Sequence, residues 1–142
     1  ILYLLDVLYD LALTKDYELL NVDGFAFETT IQDSDRITGI YKHINMNFGR
    51  AISLEEISDL ASMTVPAFCR YFKKSTGRTF TRFVNEFRIV QARRLLSETD
   101  DSITDISMEC GFNNFSHFNK LFKQYAGKSA SEYRKDLNRF VQ

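Results

Sequence analysis

A chain of 142 residues that is 44% hydrophobic can bury the core of one domain, or of a small domain with an attachment. One proline and six glycines leave little coil-forming composition, and thirteen phenylalanines and seven tyrosines recur at helical spacings, so the expected fold is all-α. The net charge of −1 hides an uneven split. Residues 1–34 carry one lysine against seven acids, whereas residues 35–142 carry seventeen basic against twelve acidic residues, a basic body behind an acidic leader.

Several classes are excluded at once. Cys69 and Cys110 have no metal-ligand spacing, and His43 and His117 complete no zinc pattern with them, so reduced thiols in a cytoplasmic protein are expected. No apolar run approaches the roughly twenty residues that a membrane span needs. The apolar start ILYLLDVLYDLAL contains Asp6 and Asp10 and lacks a basic flank, unlike a signal peptide. No nucleophile or second ligand is placed near His117 in sequence, so no catalytic residue, metal or cofactor is expected. The first residue is Ile, which suggests a piece of a longer protein.

Residues 1–20 read as a leader helix, with Leu2, Leu5, Leu8 and Leu11 on a wide apolar face. Such a face needs a partner, either a second subunit in a homodimer or a missing upstream domain. Residues 21–34 have no sustained period and read as linker. Ser34 or Asp35 can cap a helix through about Asn47, with Ile37, Ile40, Tyr41 and Ile44 on one face. Ser53 with Glu56 forms a capping box for a helix whose inner face is Leu54, Ile57, Leu60 and Ala61. Thr64 caps the next helix, with Pro66 in its first turn, Phe68, Tyr71 and Phe72 inward, and Gly77 at its end.

Thr79 opens a long helix to about Ser97, with Phe80, Phe83, Val84, Phe87, Val90, Leu95 and Leu96 as its buried stripe. Arg82, Arg88, Arg93 and Arg94 lie mostly off that stripe, and a solvated face is expected for Arg88, Arg93 and Arg94. Ser102 caps again, with Asp105 in the box position and Ile103, Ile106 and Cys110 inward. Gly111 makes a turn. Phe115, Phe118, Leu121, Phe122 and Tyr125 shape the following helix, which Gly127 stops. Ser129 caps a last helix with Tyr133, Leu137 and Phe140 inward.

The segment Ser53–Gly77 recurs as Ser102–Gly127. Ile57 and Ser58 match Ile106 and Ser107; Phe68, Arg70 and Phe72-Lys73 match Phe118, Lys120 and Phe122-Lys123; Phe83 matches Tyr133. The offset is 49 before the turn and 50 after it, so the second copy has one extra turn residue. Each copy reads as a helix-turn-helix. The expected architecture is therefore two helix-turn-helix subdomains, about 53–77 and 102–127, joined by a long spacer helix at about 79–97 within a domain spanning 35–142.

A helix fits the major groove of duplex DNA, with its N-terminal residues near base edges and the preceding helix across the backbone. Its outer face must then be small, polar or cationic. Thr64, Val65, Pro66 and Ala67, with Cys69 and Arg70, meet that need in the first copy. Asn113, Asn114, Phe115, Ser116 and His117, with Asn119 and Lys120, meet it in the second. Lys73, Lys74 and Lys123 lie further along and suit phosphate contacts, which position without reading sequence. Two roles stay open for Arg70, a guanine edge or a phosphate. His117 is divided between a phosphate contact and a cap-region hydrogen bond. Phe115 is expected to be buried against the neighbouring unit, the alternative being a thymine methyl. The spacer helix could hold both recognition helices on one face of a duplex, where successive major grooves are roughly 34 Å apart.

These residues resemble the AraC/XylS-type bacterial transcription regulators over about 35–140. The resemblance is carried by IxxISxxCGFxNxSHFNKLFKxYxGKSxSEYR, which ends at Arg134, by RYFKKSTGRTF in the first copy and by RxxxARRLL in the spacer. It implies a seven-helix DNA-binding domain, usually of an activator that binds promoter DNA and also touches RNA polymerase. It also implies that residues 1–33 are the end of the linker region that follows an effector-binding domain. Two competing readings are a DNA-targeting module of a larger enzyme or hybrid sensor, and a protein-interaction module. The basic body with two cationic helix faces argues against the latter.

Overall fold

In a computed structural model the described residues, 31–140, form seven helices. They are α1 (Ile31–Asn47), α2 (Leu54–Leu60), α3 (Val65–Thr76), α4 (Phe80–Glu98), α5 (Ile103–Glu109), α6 (Phe115–Ala126) and α7 (Ala130–Phe140). The expected leader helix over 1–20 and most of the expected linker lie outside the described residues. The Phe140 side chain does too. α1 begins at Ile31, ahead of the cap expected at Ser34 or Asp35, so the end of the expected linker is helical. Arg36 pairs with Asp33 at 2.9 Å in that first turn, and the Tyr71 hydroxyl donates to the Asp33 carbonyl at 3.3 Å. α3 thus contacts a part of α1 that lies within the expected linker.

The helices surround two separate apolar cores. In the first, Ile40 and Ile44 of α1, Ile57 and Ala61, Phe68 and Phe72 of α3 and Phe80 and Val84 of α4 are buried together. In the second, Ile106 and Cys110, Phe112, Phe118 and Phe122 of α6 and Ala130 pack on Ile89, Ala92 and Leu96 of α4. Each Phe side chain removed from water contributes ~1.5–3 kcal/mol, and ring pairs add ~0.5–1.5 kcal/mol beyond area. The ring geometry itself repeats. Phe72 meets Phe83 edge-on at 5.4 Å, and Phe122 meets Tyr133 edge-on at 5.7 Å.

α4 therefore has no single buried stripe. Its N-terminal part (Phe80, Val84) faces one core and its C-terminal part (Ile89, Ala92, Leu96) faces the other. Of the expected stripe, Phe83, Phe87, Val90 and Leu95 are only partly buried, whereas Ile89 and Ala92 are fully buried. α2 departs from expectation similarly. A helix this short buries one narrow face, here Ile57, Ser58 and, just past its end, Ala61, so Leu60 is turned out and is 50% exposed. Ser58 and its counterpart Ser107 fit into this face because their hydroxyls donate back to the Glu55 and Thr104 carbonyls, at 3.0 and 2.7 Å.

Capping explains the element boundaries. The Ser53, Thr79 and Ser102 hydroxyls accept from the backbone N–H groups of Glu56, Arg82 and Asp105. The Ser53 box is only half closed, because the Glu56 carboxylate turns away to Arg50 and His43. The box at Ser129 is complete: Glu132 Oε2 accepts from both the backbone N–H and the hydroxyl of Ser129. α3 and α6 both stop at left-handed glycines, Gly77 and Gly127. One further pairing obeys the 50-residue offset. Arg78 meets Glu86 at 2.9 Å in the first unit, and Lys128 meets Asp136 at 2.6 Å in the second.

Candidate nucleic-acid interface

α2 with α3, and α5 with α6, form two helix-turn-helix pairs. Each turn is closed by the same hydrogen bonds: Met63 N–H to the Ser58 carbonyl, and Phe112 N–H to the Ser107 carbonyl. The second helix of each pair is strongly amphipathic. Phe68 and Phe72 pin one face of α3 into its core, and Phe118 and Phe122 do the same for α6. The opposite faces are thereby left to solvent.

In α3, Thr64 is the N-cap residue, extended at φ −71°, but its side chain makes no capping hydrogen bond. Thr64 caps the helix through its carbonyl, which accepts from Phe68 N–H at 2.9 Å. Pro66, Arg70, Lys73 and Lys74 are exposed, and Val65 and Ala67 are half-buried. Cys69 is half-buried and packs partly against the first core. The exposed face of α3 is thus mainly cationic.

In and just before α6, Asn113, Asn114, Phe115, Ser116, His117, Lys120 and Lys123 are all exposed, and Asn119 is half-buried. The Asn114 side chain is the cap, its Oδ1 accepting from His117 N–H at 2.9 Å. His117 thus joins the cap through its backbone N–H, while its imidazole lies edge-on to Phe112 at 6.1 Å between centroids. Phe115 corrects the expectation of burial against the neighbouring unit. It is 42% exposed and stacks on Phe118 at 5.9 Å, because the first turn of α6 projects beyond the core.

The electrostatics of both helices agree. α2 and α5 carry acids in their first turns, where the helix dipole favours them, but α3 and α6 carry none. No acidic residue occurs between Asp59 and Glu86, nor between Glu109 and Glu132. These two acid-free stretches contain the candidate faces, and they are a sequence signal additional to the motif match. Among the described residues no group of three or more His, Cys, Asp and Glu side chains could hold a metal ion. No described helix is long and apolar enough to cross a membrane.

Arg88 was not foreseen as part of any site. Instead of a solvated face, it is half-buried and donates to the carbonyls of Phe48 at 2.8 Å and Arg50 at 2.7 Å. Arg93 likewise leaves the solvent, with its guanidinium 5.2 Å from the Tyr133 ring centre, while Arg94 stays exposed. These partners lie about forty positions away in sequence, so no local pattern indicates them.

The chain matches the family described as a helix-turn-helix domain over residues 57–136. It is 33% identical over 107 residues to the HTH-type transcriptional activator RhaS of Enterobacter sp. (strain 638), which is 75% of this chain and 38% of that protein. The matched stretch therefore covers well under half of that curated relative. A Chromobacterium violaceum transcriptional regulator described as AraC-type DNA-binding domain-containing has the same fold, with TM-score 0.69 and 23% identity over 76% of this chain and 96% of that one. So does the DNA-binding domain of AdpA, solved in complex with a target DNA, with TM-score 0.66 and 24% identity over 71% and 90% of the two chains.

Proposed function

Because the chain belongs to the AraC-type helix-turn-helix family, we propose that it is the DNA-binding part of a bacterial transcription regulator, acting in the cytoplasm and most simply as an activator. α3 and α6 enter adjacent major grooves of one duplex. The observation that carries this reading is the paired geometry: two helices, each pinned by two buried phenylalanines, expose acid-free faces ending in lysines. The activator RhaS and the DNA-bound AdpA domain support it as relatives.

In this proposal the DNA-binding domain spans residues 35–142. Arg70, Lys73, Lys74, Lys120 and Lys123 neutralise phosphates, and Arg70 is also placed to pair with a guanine edge. Asn113, Ser116, His117 and Asn119 present the hydrogen-bonding groups of α6 to bases or backbone, and Phe115 offers its exposed ring to a thymine methyl. Thr64, Val65, Pro66 and Cys69 provide a mostly small surface that lets the first turn of α3 approach the groove. Asn114 contributes through its cap, since its side-chain oxygen is already engaged. The chain itself carries no enzymatic activity in this reading. RNA polymerase is a second proposed partner, and a homodimer through the expected leader helix at 1–20 or an upstream domain a third.

The test is selection of bound sites from random duplexes, followed by footprinting. A footprint over two adjacent major grooves is expected, with affinity falling steeply as salt rises. Arg70→Ala with Lys120→Ala should weaken binding and reduce the salt slope by about two. An unchanged footprint in that double variant would overturn the site assignment.

A further inference from the structure

The two helix-turn-helix units share α4, but a shared helix alone leaves their relative tilt to side-chain packing. A second bridge exists where the loop after α1 reaches the turn between α5 and α6. Phe48, which belongs to the first unit in sequence, packs against the second core and meets Phe87 edge-on at 5.6 Å. At Gly49 an added Cβ would lie 2.9 Å from the Glu109 carbonyl oxygen. At Gly111, whose φ is +85°, a Cβ would overlap the Phe48 carbonyl oxygen and stand 3.0 Å from the Arg88 guanidinium. The backbones of the two units are thus in direct contact, and Arg88 sits at the centre of that contact.

Arg88 lies on α4 between Val84 of the first core and Ile89 of the second. Its Nε donates to the Phe48 carbonyl and its Nη2 to the Arg50 carbonyl, while its plane lies 5.8 Å from the Phe112 ring centre. One planar fork therefore holds a loop of unit one and rests on a ring of unit two. In the second unit Arg134, which the 50-residue offset aligns with Val84 rather than Arg88, also anchors a loop, donating to the Asp101 and Thr99 carbonyls before α5. Arg88 differs from such a loop anchor in also reaching across to Gly111 and Phe112 of the other unit.

We propose that Arg88 is a positioning residue that locks the two units into one rigid body and so sets the single half-site spacing the domain accepts. Its consequence at DNA rests on the DNA-binding reading above; the lock itself does not. On B-DNA each inserted base pair moves the second half-site by about 3.4 Å and turns it by about 34°. A rigid pair of recognition helices cannot follow that change, whereas a pair hinged at α4 can.

The experiment uses the 142-residue chain with Arg88→Ala, Arg88→Lys and Gly111→Ala, each checked for native helix content. Without DNA, amide residual dipolar couplings of residues 54–84 and 103–139 should fit one alignment tensor in the parent and two in Arg88→Ala. With the selected site, the parent should lose about tenfold or more in affinity for each base pair inserted between half-sites, as for a mismatched contact. Arg88→Ala should bind the native spacing more weakly and lose less than about threefold per insertion. Gly111→Ala, which keeps the guanidinium but displaces the Phe48 carbonyl, should show the same relaxed spacing. Arg88→Lys keeps the charge without the fork and should resemble Arg88→Ala. A single tensor in both Arg88 variants, an unchanged spacing penalty, or full rescue by lysine would overturn the proposal. If the parent bound no DNA, the function would fall while the dipolar couplings still decided the lock.

Discussion

Ser62 and Gly111 stand at the same point of the two turns, 49 residues apart, and both have left-handed backbone, at φ +56° and +85°. Their N–H groups also bond alike, to the Asp59 and Met108 carbonyls at 3.0 and 2.9 Å. Only the second is the residue type that suits this conformation. A side chain in the left-handed region costs ~1–2 kcal/mol, against ~0.5–1 kcal/mol for the extra chain entropy of glycine. Ser62→Gly should therefore stabilise the protein by about 0.5–1 kcal/mol in urea unfolding. Gly111→Ser should cost more than the reverse gain, because its Cβ also meets the Phe48 carbonyl.

Glu86 is nearly buried and bridges Arg78 at 2.9 Å and Arg82 at 3.0 Å. Both cations are more exposed than the carboxylate and return to water when it is removed. Glu86→Ala is thus expected to cost only about 1 kcal/mol. Replacing both arginines by alanine strands a buried carboxylate and should cost clearly more. The counterpart pair Lys128–Asp136 is exposed on both sides, so Asp136→Ala should leave the unfolding midpoint almost unchanged. Urea midpoints of these variants check the order.

Hydrogen bonds from Arg50 and then His43 pull the Glu56 carboxyl from its usual 4.5 down to about 2. Its folded value is below its unfolded one, so its stabilising contribution is complete above about pH 4.5 and fades as the pH falls towards 2. Glu56→Gln should lower stability most at neutral pH, flatten that part of the acid-unfolding curve and converge on the parent as the pH falls towards 2. Carbon-detected NMR titration of Glu56 gives the same value directly, and an ordinary carboxylate titration would refute it.

Burial pushes the Cys110 thiol up to about 12, with Glu109 adding to the effect. Thiolate is the reactive form, so Cys110 should resist iodoacetamide at pH 8 in the folded protein. Cys69 is half-buried and should be alkylated first. Mass spectrometry should find both modified only after denaturant is added.

The repeat, the caps at Ser53, Thr79 and Ser102, and the inward pairs Phe68–Phe72 and Phe118–Phe122 were legible because they depend on contacts within one or two turns. Leu60 and Phe115 were not. Short helices have more apolar residues than one narrow face can hide, and periodicity does not rank which is left out. The Tyr71 contact to the Asp33 carbonyl and the burial of Arg88 against loop carbonyls join residues about forty positions apart, which no local pattern shows. Of the candidate site, exposure of Arg70, Lys73, Lys74, Lys120 and Lys123 followed from the opposite faces being aromatic; the engagement of Asn114 as a cap did not.

α4 changes allegiance from one core to the other between Val84 and Ile89. A helix turns 100° and rises 1.5 Å per residue. One residue inserted in that interval would turn the second unit by about 100° about the α4 axis, and shift it about 1.5 Å along that axis, relative to the first. Gradual lengthening of this helix is therefore closed as a route to new operator spacings. A new spacing would have to come from the contacts between the units, while the length of α4 stays fixed.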